Sequence, residues 1–171
     1  MEAGRLNAYK AAPDAMRAVQ QVEAYIQRCG LEKSLIELVK MRASQINGCA
    51  YCLHVHSKDA RYGGETEQRL YLLDAWHESS LYTERERAAL AWTEALTRIA
   101  ETHAPDATYD EVRRHFEDKE LVDLTTLIGL INLWITNIRS SKPYQSIRRG
   151  ADGFPEANWD AGTIWESASA R

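Results

Sequence analysis

The stretch Glu32-Lys33-Ser34-Leu35-Ile36-Glu37-Leu38-Val39-Lys40-Met41-Arg42-Ala43-Ser44-Gln45-Ile46-Asn47-Gly48-Cys49-Ala50-Tyr51-Cys52-Leu53-His54-Val55-His56 decides how this chain is read. Leu35, Leu38, Val39 and Arg42 recur at three- and four-residue steps and share one side of a helix from Glu32 to Ile46. Asn47-Gly48 is a strong break. A second helix is expected from the cysteines to Tyr62, ended by Gly63-Gly64. If the break is a tight reversal, the two helices lie antiparallel and side chains of one face those of the other.

Outward from this pair the same pattern continues. Met16, Val19, Val22 and Ile26 mark a helix from Pro13 to Cys29, with Gly30 just past its end. Thr66 to Trp76 is expected to be helical, with Thr66 as its cap. Thr83-Glu84-Arg85-Glu86 is a capping box, in which threonine and glutamate side chains satisfy free amides at a helix start; that helix is expected to reach Thr102. Thr108-Tyr109-Asp110-Glu111 has the same form and is expected to open a short helix to Phe116. A last long helix runs from Asp118 to Ser140, followed by Pro143. No stretch alternates as a strand, so the expected fold is all-α: a compact helical domain of six to seven helices over residues 1–150. Residues 151–171, with Phe154, Trp159 and Trp165 among polar residues, are expected to be an irregular tail that packs on the body or on a neighbour.

Composition narrows the function classes. A chain of 171 residues is long enough to bury a core without a disulfide framework. Its net charge of −4 argues against nucleic-acid binding. The longest apolar run, Leu121 to Ile138, is interrupted by Asp123, Thr125, Thr126, Asn132 and Asn137, and Met1 to Lys10 holds no hydrophobic signal region, so no membrane association and a cytoplasmic location are expected. In that compartment a cysteine pair is more often catalytic, redox-sensing or metal-binding than a staple.

Cys49, Cys52 and His56 carry the chemistry. At about 100° per residue, Cys52 falls about 60° short of a full turn past Cys49, and His56 about 40° past Cys52. All three therefore share a helix face, whereas His54 points away. Both cysteines sit in the first turn, where free amides and the helix dipole favour a thiolate. His56 is placed to receive or deliver the proton. Glu37, on the preceding helix, is placed to orient the imidazole or to accept the proton through a water. The expected chemistry is thiolate attack on a peroxide or a disulfide, closed by the second thiol. Other uses of the same residues are a zinc site, which needs a fourth ligand, or two small core cysteines. Cys29 is expected to be a buried structural residue. No glycine-rich phosphate loop is present, so no nucleotide, flavin or other cofactor, and no metal, is expected.

Glu37, Cys49-Ala50-Tyr51-Cys52 and His56 together resemble the alkylhydroperoxidase D motif of the carboxymuconolactone decarboxylase family. The likeness extends through Lys58-Asp59-Ala60-Arg61, Gly63-Gly64-Glu65-Thr66 and Glu84-Arg85-Glu86-Arg87-Ala88-Ala89-Leu90, and covers Leu31 to Ala100. The resemblance implies an all-helical homotrimer or homohexamer with thiol-dependent peroxidase activity. By the same resemblance Cys52 is the thiol attacked by hydroperoxide, Cys49 the more exposed resolving thiol, and His56 and Glu37 the proton relay. It also implies reduction by an external dithiol of lipoyl or thioredoxin-like type. Tyr51 departs from the pattern, because well-studied peroxidase members carry a histidine there. A different class of function is a redox sensor or interaction module switched by the disulfide. Lactone decarboxylation, the reaction of other family members, would leave the cysteine pair without a role.

Overall fold

The computed structural model describes residues 5–141 and, as backbone alone, residues 147–149 and 155–157. The described helices are α1 (Ala8–Ala11), α2 (Pro13–Ile26), α3 (Lys33–Ile46), α4 (Ala50–Tyr62), α5 (Glu67–Leu72), α6 (Glu84–Thr97), α7 (Ile99–Thr102), α8 (Asp106–Arg113) and α9 (Asp118–Ser141), with a 3-10 segment over Leu73–Glu78. The all-α expectation holds. Seven of these helices have six residues or more, and α1 and α7 are single turns.

Helix α3 is the hub. It packs against α4, α6 and α9. The sequence shows it as one-sided, yet Leu35, Ile36, Leu38, Val39, Lys40, Met41, Arg42, Ala43 and Ser44 are all buried, which covers its whole circumference. Its buried charged residues, Lys40 and Arg42, are paired. Arg42 donates to Glu94 at 2.8 Å and to Gln45 at 3.0 Å, and it also pairs with Asp74.

Helix α9 is the other long core element. Leu124, Leu127, Ile128 and Ile131 are almost fully buried. Each such side chain contributes roughly 1.5–3 kcal/mol relative to exposure. By length and composition α9 could cross a membrane, with 44% of its apolar window buried inside the molecule; it packs against α2, α3, α6 and α8. The main core joins Ile26, Val39, Trp92, Leu124 and Leu127. A second cluster, under α5 and the 3-10 segment, joins Leu38, Leu73, Trp76 and Leu90. A third, small one encloses the cysteines with Ala43, Ile131 and Ile135.

Several boundaries differ from the sequence expectation. Helix α2 ends at Ile26, not Cys29, and Cys29 is half-buried with a free thiol rather than enclosed. Thr66 caps α5 as expected, accepting from the Arg69 amide at 3.3 Å. That helix then breaks into 3-10 geometry, with Ala75 at φ −110° and ψ 28°. The Thr83–Glu86 box is formed in both directions, but Arg98 (φ −106°, ψ 35°) separates α6 from α7. Thr108 does not cap a helix: Pro105 is the N-cap and α8 starts at Asp106. Proline pre-sets the backbone angle there, so the helix starts ahead of the threonine. Pro155–Ala157, in the expected irregular tail, pairs antiparallel with Ile147–Arg149, at the end of the expected helical domain, and Arg148 stands opposite Glu156. Three residues are too few for alternation to show in a sequence. The remaining tail residues, including Phe154, Trp159 and Trp165, and the Pro143 expectation lie outside the described residues.

Candidate functional site

The reversal between α3 and α4 is tight and heavily tied. Gly48 adopts φ +59°, the left-handed region that glycine enters without a side-chain clash. Its amide donates to the Gln45 carbonyl at 3.0 Å, and the Cys49 amide to the Ser44 carbonyl at 3.0 Å. The Asn47 side chain donates to the Ala43 carbonyl at 2.8 Å and to Asn132 Oδ1 at 2.9 Å. Arg139 donates to the Gly48 carbonyl at 2.9 Å. Asn132 and Arg139 both belong to α9, so the core helix fixes the turn that presents the cysteines. This gives the polar Asn132 inside an apolar helix its reason.

Cys49 is the N-cap of α4. Its sulfur accepts from the Cys52 amide at 3.4 Å, in the place where Ser or Asp oxygens usually cap a helix. Cys49 and Cys52 are joined as a disulfide with a Cα–Cα separation of 5.4 Å, within the normal span for such a bond. Both cysteines are buried and nearly equal in exposure: Cys49 is 3% and Cys52 2% accessible. The capping position draws the Cys49 sulfur inward, against Ile131 and Ile135.

One turn beyond Cys52, His56 is buried at 7% exposure. Its Nδ1 lies 3.0 Å from Glu37 Oε2, across the α3–α4 interface. An ionised carboxylate only accepts hydrogen bonds, so this contact puts a proton on Nδ1 and leaves Nε2 for exchange. The expected partnership of Glu37 with His56 is thus a direct contact. His54 stands elsewhere on the helix, where burial, and secondarily the Lys58 ammonium, hold its pKa below the ordinary histidine value. Tyr51, half-buried, is pushed above the ordinary tyrosine value by burial first and by the Asp59 carboxylate second. A tyrosine so placed stays protonated near neutral pH and can donate a hydrogen bond, but it is a poor base.

Three site residues escaped the sequence reading. Asp59 brings a carboxylate oxygen into a group with Glu37 and His56 in which the donor atoms all lie within 4.8 Å of one another. Its signal was legible: Cys52, His56 and Asp59 have i, i+4, i+7 spacing on one helix face. Lys40 and Glu23 were not legible. Lys40 is 1% exposed; its Nζ lies 2.7 Å from Glu23 Oε1 and 3.7 Å from Glu37 Oε1. Glu23 also accepts from Gln27 at 3.0 Å and from Trp134 at 3.2 Å. Burial alone would raise the Glu23 pKa; the Lys40 ammonium and the bonds from Lys40, Gln27 and Trp134 outweigh it and hold the carboxyl below its ordinary value.

The Glu37, His56 and Asp59 group has donor types that suit a metal. However, Glu37 Oε2 and His56 Nδ1 are engaged with each other, and an ammonium stands 3.7 Å from the other Glu37 oxygen. A cation would meet repulsion there, and the disulfide withholds both thiolates from a zinc site. The arrangement suits moving a proton next to a dithiol.

Comparison with known proteins agrees with the geometry. The sequence model described as "Carboxymuconolactone decarboxylase family" matches residues 13–95. The chain is 42% identical over 130 residues to the uncharacterized protein YdfG of Bacillus subtilis (strain 168), covering 76% of this chain and 88% of that one. A crystal structure from Agrobacterium tumefaciens, of a protein of unknown function provisionally named antioxidant defence protein AhpD, is 47% identical with a TM-score of 0.77, covering 81% of this chain and 95% of that one. The debrominase Bmp8, 21% identical with a TM-score of 0.70 over 86% of this chain and 74% of that one, shares the fold alone. With the Cys-x-x-Cys pair, the Glu37–His56 contact, the helical architecture and these likenesses in agreement, the chain belongs to the carboxymuconolactone decarboxylase family.

Proposed function

We propose that the protein is a thiol-dependent peroxidase with an antioxidant role. The observation that carries this reading is the Glu37–His56 hydrogen bond one helical turn from a cysteine pair that forms a disulfide. The Cys52 thiol gives its proton to His56 Nε2. The thiolate attacks the distal oxygen of a hydroperoxide; the O–O bond breaks, the sulfur takes that oxygen as a sulfenic acid, and the departing alkoxide receives the proton from His56 and leaves as an alcohol. The Cys49 thiolate then attacks the sulfenic sulfur; the S–O bond breaks as the disulfide forms, and the hydroxide takes up the proton that the Cys49 thiol had given up and leaves as water. An external dithiol of lipoyl or thioredoxin-like type supplies two electrons and two protons to restore both thiols. The Cys52 amide, which donates to the Cys49 sulfur, favours the Cys49 thiolate, which helps both the resolving attack and the departure of that sulfur during reduction.

The reading includes a homo-oligomer, trimeric or hexameric, in the cytoplasm. The outward face of α9 supports assembly: Val122 and Leu133 are exposed apolar residues on it.

Turnover tests the function. Purified protein supplied with dihydrolipoamide should consume alkyl hydroperoxide at a steady rate that Cys52→Ser abolishes. A second reading, a redox sensor, rests on the same disulfide; one stoichiometric oxidation with no turnover on lipoyl or thioredoxin-type donors would favour it and reject the enzyme.

A further inference from the structure

Lys40 and Glu23 lie outside the thiol chemistry, yet they adjoin it. Four ionisable side chains run in one buried line from α2 through α3 to α4: Glu23, Lys40, Glu37 and His56. Lys40 is 1% exposed, and a lysine this deep is kept charged only by partners. Glu23 is saturated by Lys40, Gln27 and Trp134. Two carboxylates therefore share one fixed cation, and His56 is the member placed to gain or lose a proton. With His56 protonated the four charges cancel; with His56 neutral the line carries one net negative charge.

We propose that Lys40, held in place by Glu23, is a positioning residue that sets the proton affinity of His56 through Glu37. This rests on the reading of His56 as the proton partner of Cys52. A Glu37–His56 pair enclosed without a cation would lock into a permanent ion pair, and a locked imidazolium cannot take the thiol proton. The Lys40 ammonium, 3.7 Å from Glu37 Oε1, draws off part of that carboxylate's field. Glu37 then stays an orienting carboxylate, and the mobile proton is confined to the imidazole. Glu23 is the counterweight: by holding Lys40 at 2.7 Å it limits how much of the positive charge reaches Glu37. Cys52, Asp59 and Tyr51, all on α4, are further titratable groups near this end of the line. They are unaltered in the variants below.

Charge coupling along this line moves the His56 midpoint in opposite directions in the two single variants, which a merely structural role of Lys40 would not do. Histidine ring signals of the reduced, full-length protein would be titrated by NMR, with His56 assigned by its loss in His56→Gln. Lys40→Met should move the His56 midpoint up by about one unit. Glu23→Gln, close to isosteric, should move it down. The double variant Glu23→Gln/Lys40→Met should lie between the two single variants, and it removes the unpaired buried carboxylate that could unfold Lys40→Met alone. In that event Glu23→Gln and the double variant carry the test: the first below the unmodified protein, the second above the first. Shifts of the same sign, or none in either folded variant, overturn the proposal. The thiol chemistry is read separately, by the pH profile of Cys52 alkylation in His56→Gln. An unchanged profile there would reject His56 as the thiol's proton partner while leaving the Lys40 result intact.

Discussion

Glu37 Oε2 meets His56 Nδ1 at 3.0 Å although 19 residues separate them in the chain. The contact exists because Gly48 reverses the chain and α9 clamps the turn through Asn132 and Arg139. Its consequence is a buried imidazole with a fixed tautomer, one turn from Cys52. Glu37→Gln keeps an acceptor at that place but removes the charge. The variant should slow peroxide oxidation of the reduced thiols by about tenfold to a hundredfold, up to the lower end of the usual contribution of a proton-transfer group, because Glu37 acts through His56. Loss of free thiol after mixing with peroxide measures this, and an unaltered rate would separate Glu37 from the chemistry.

Tyr51 occupies the position beside Cys52. Burial, and then the Asp59 carboxylate, keep its hydroxyl protonated. Tyr51→His would place a group titrating near neutral pH there. The expected outcome is a several-fold faster oxidation at neutral pH, whereas Tyr51→Phe should change the rate by less than about twofold, because a group that keeps its proton does not relay one. A large loss in Tyr51→Phe would show that the hydroxyl itself participates.

Gly48 stands at φ +59°, where an added Cβ would meet the Arg139 guanidinium at 3.7 Å, an ordinary contact. The cost of Gly48→Ala is therefore conformational, about 1 kcal/mol. Urea unfolding should show that loss with little change in slope. A stability equal to the unmodified protein would mean the turn relaxes at no cost.

The depressed pKa of Glu23 implies acid sensitivity. Its folded value lies below the unfolded one, because the Lys40 ammonium and three hydrogen bonds outweigh burial. The stabilisation is complete above the unfolded carboxylate range and is lost as pH falls through the folded value. Stability should decline as the medium is acidified below about pH 5, and Glu23→Gln should flatten that decline. Urea midpoints measured across this range check the slope; identical slopes would place the acid sensitivity in other carboxylates, such as Glu86 and Glu94, whose pKa values are also lowered.

How far the sequence could be read depended on whether the cause was local. The Thr83–Glu86 box closes within one turn, and its residues announce it. Glu37, Cys52 and His56 were legible because helix spacing and one glycine break suffice to bring them together. Asp59 was equally legible, at i+7 from Cys52. Thr108–Glu111 misled because Pro105 starts the helix first. Lys40 and Glu23 could not be found: a lysine in an amphipathic pattern looks solvent-facing until α2 and α9 close over it. The same cause hid the full burial of α3, whose neighbours come from distant segments.

Central to the account is Cys52 as the thiol that peroxide oxidises. The most direct measurement treats the reduced Cys49→Ser protein with one equivalent of hydroperoxide in the presence of dimedone, which traps sulfenic acids, and maps the adduct by peptide mass spectrometry. The adduct is expected on Cys52, and it should form more slowly when His56→Gln is added. Trapping on Cys29 alone, or no adduct while peroxide remains unconsumed, would contradict the account.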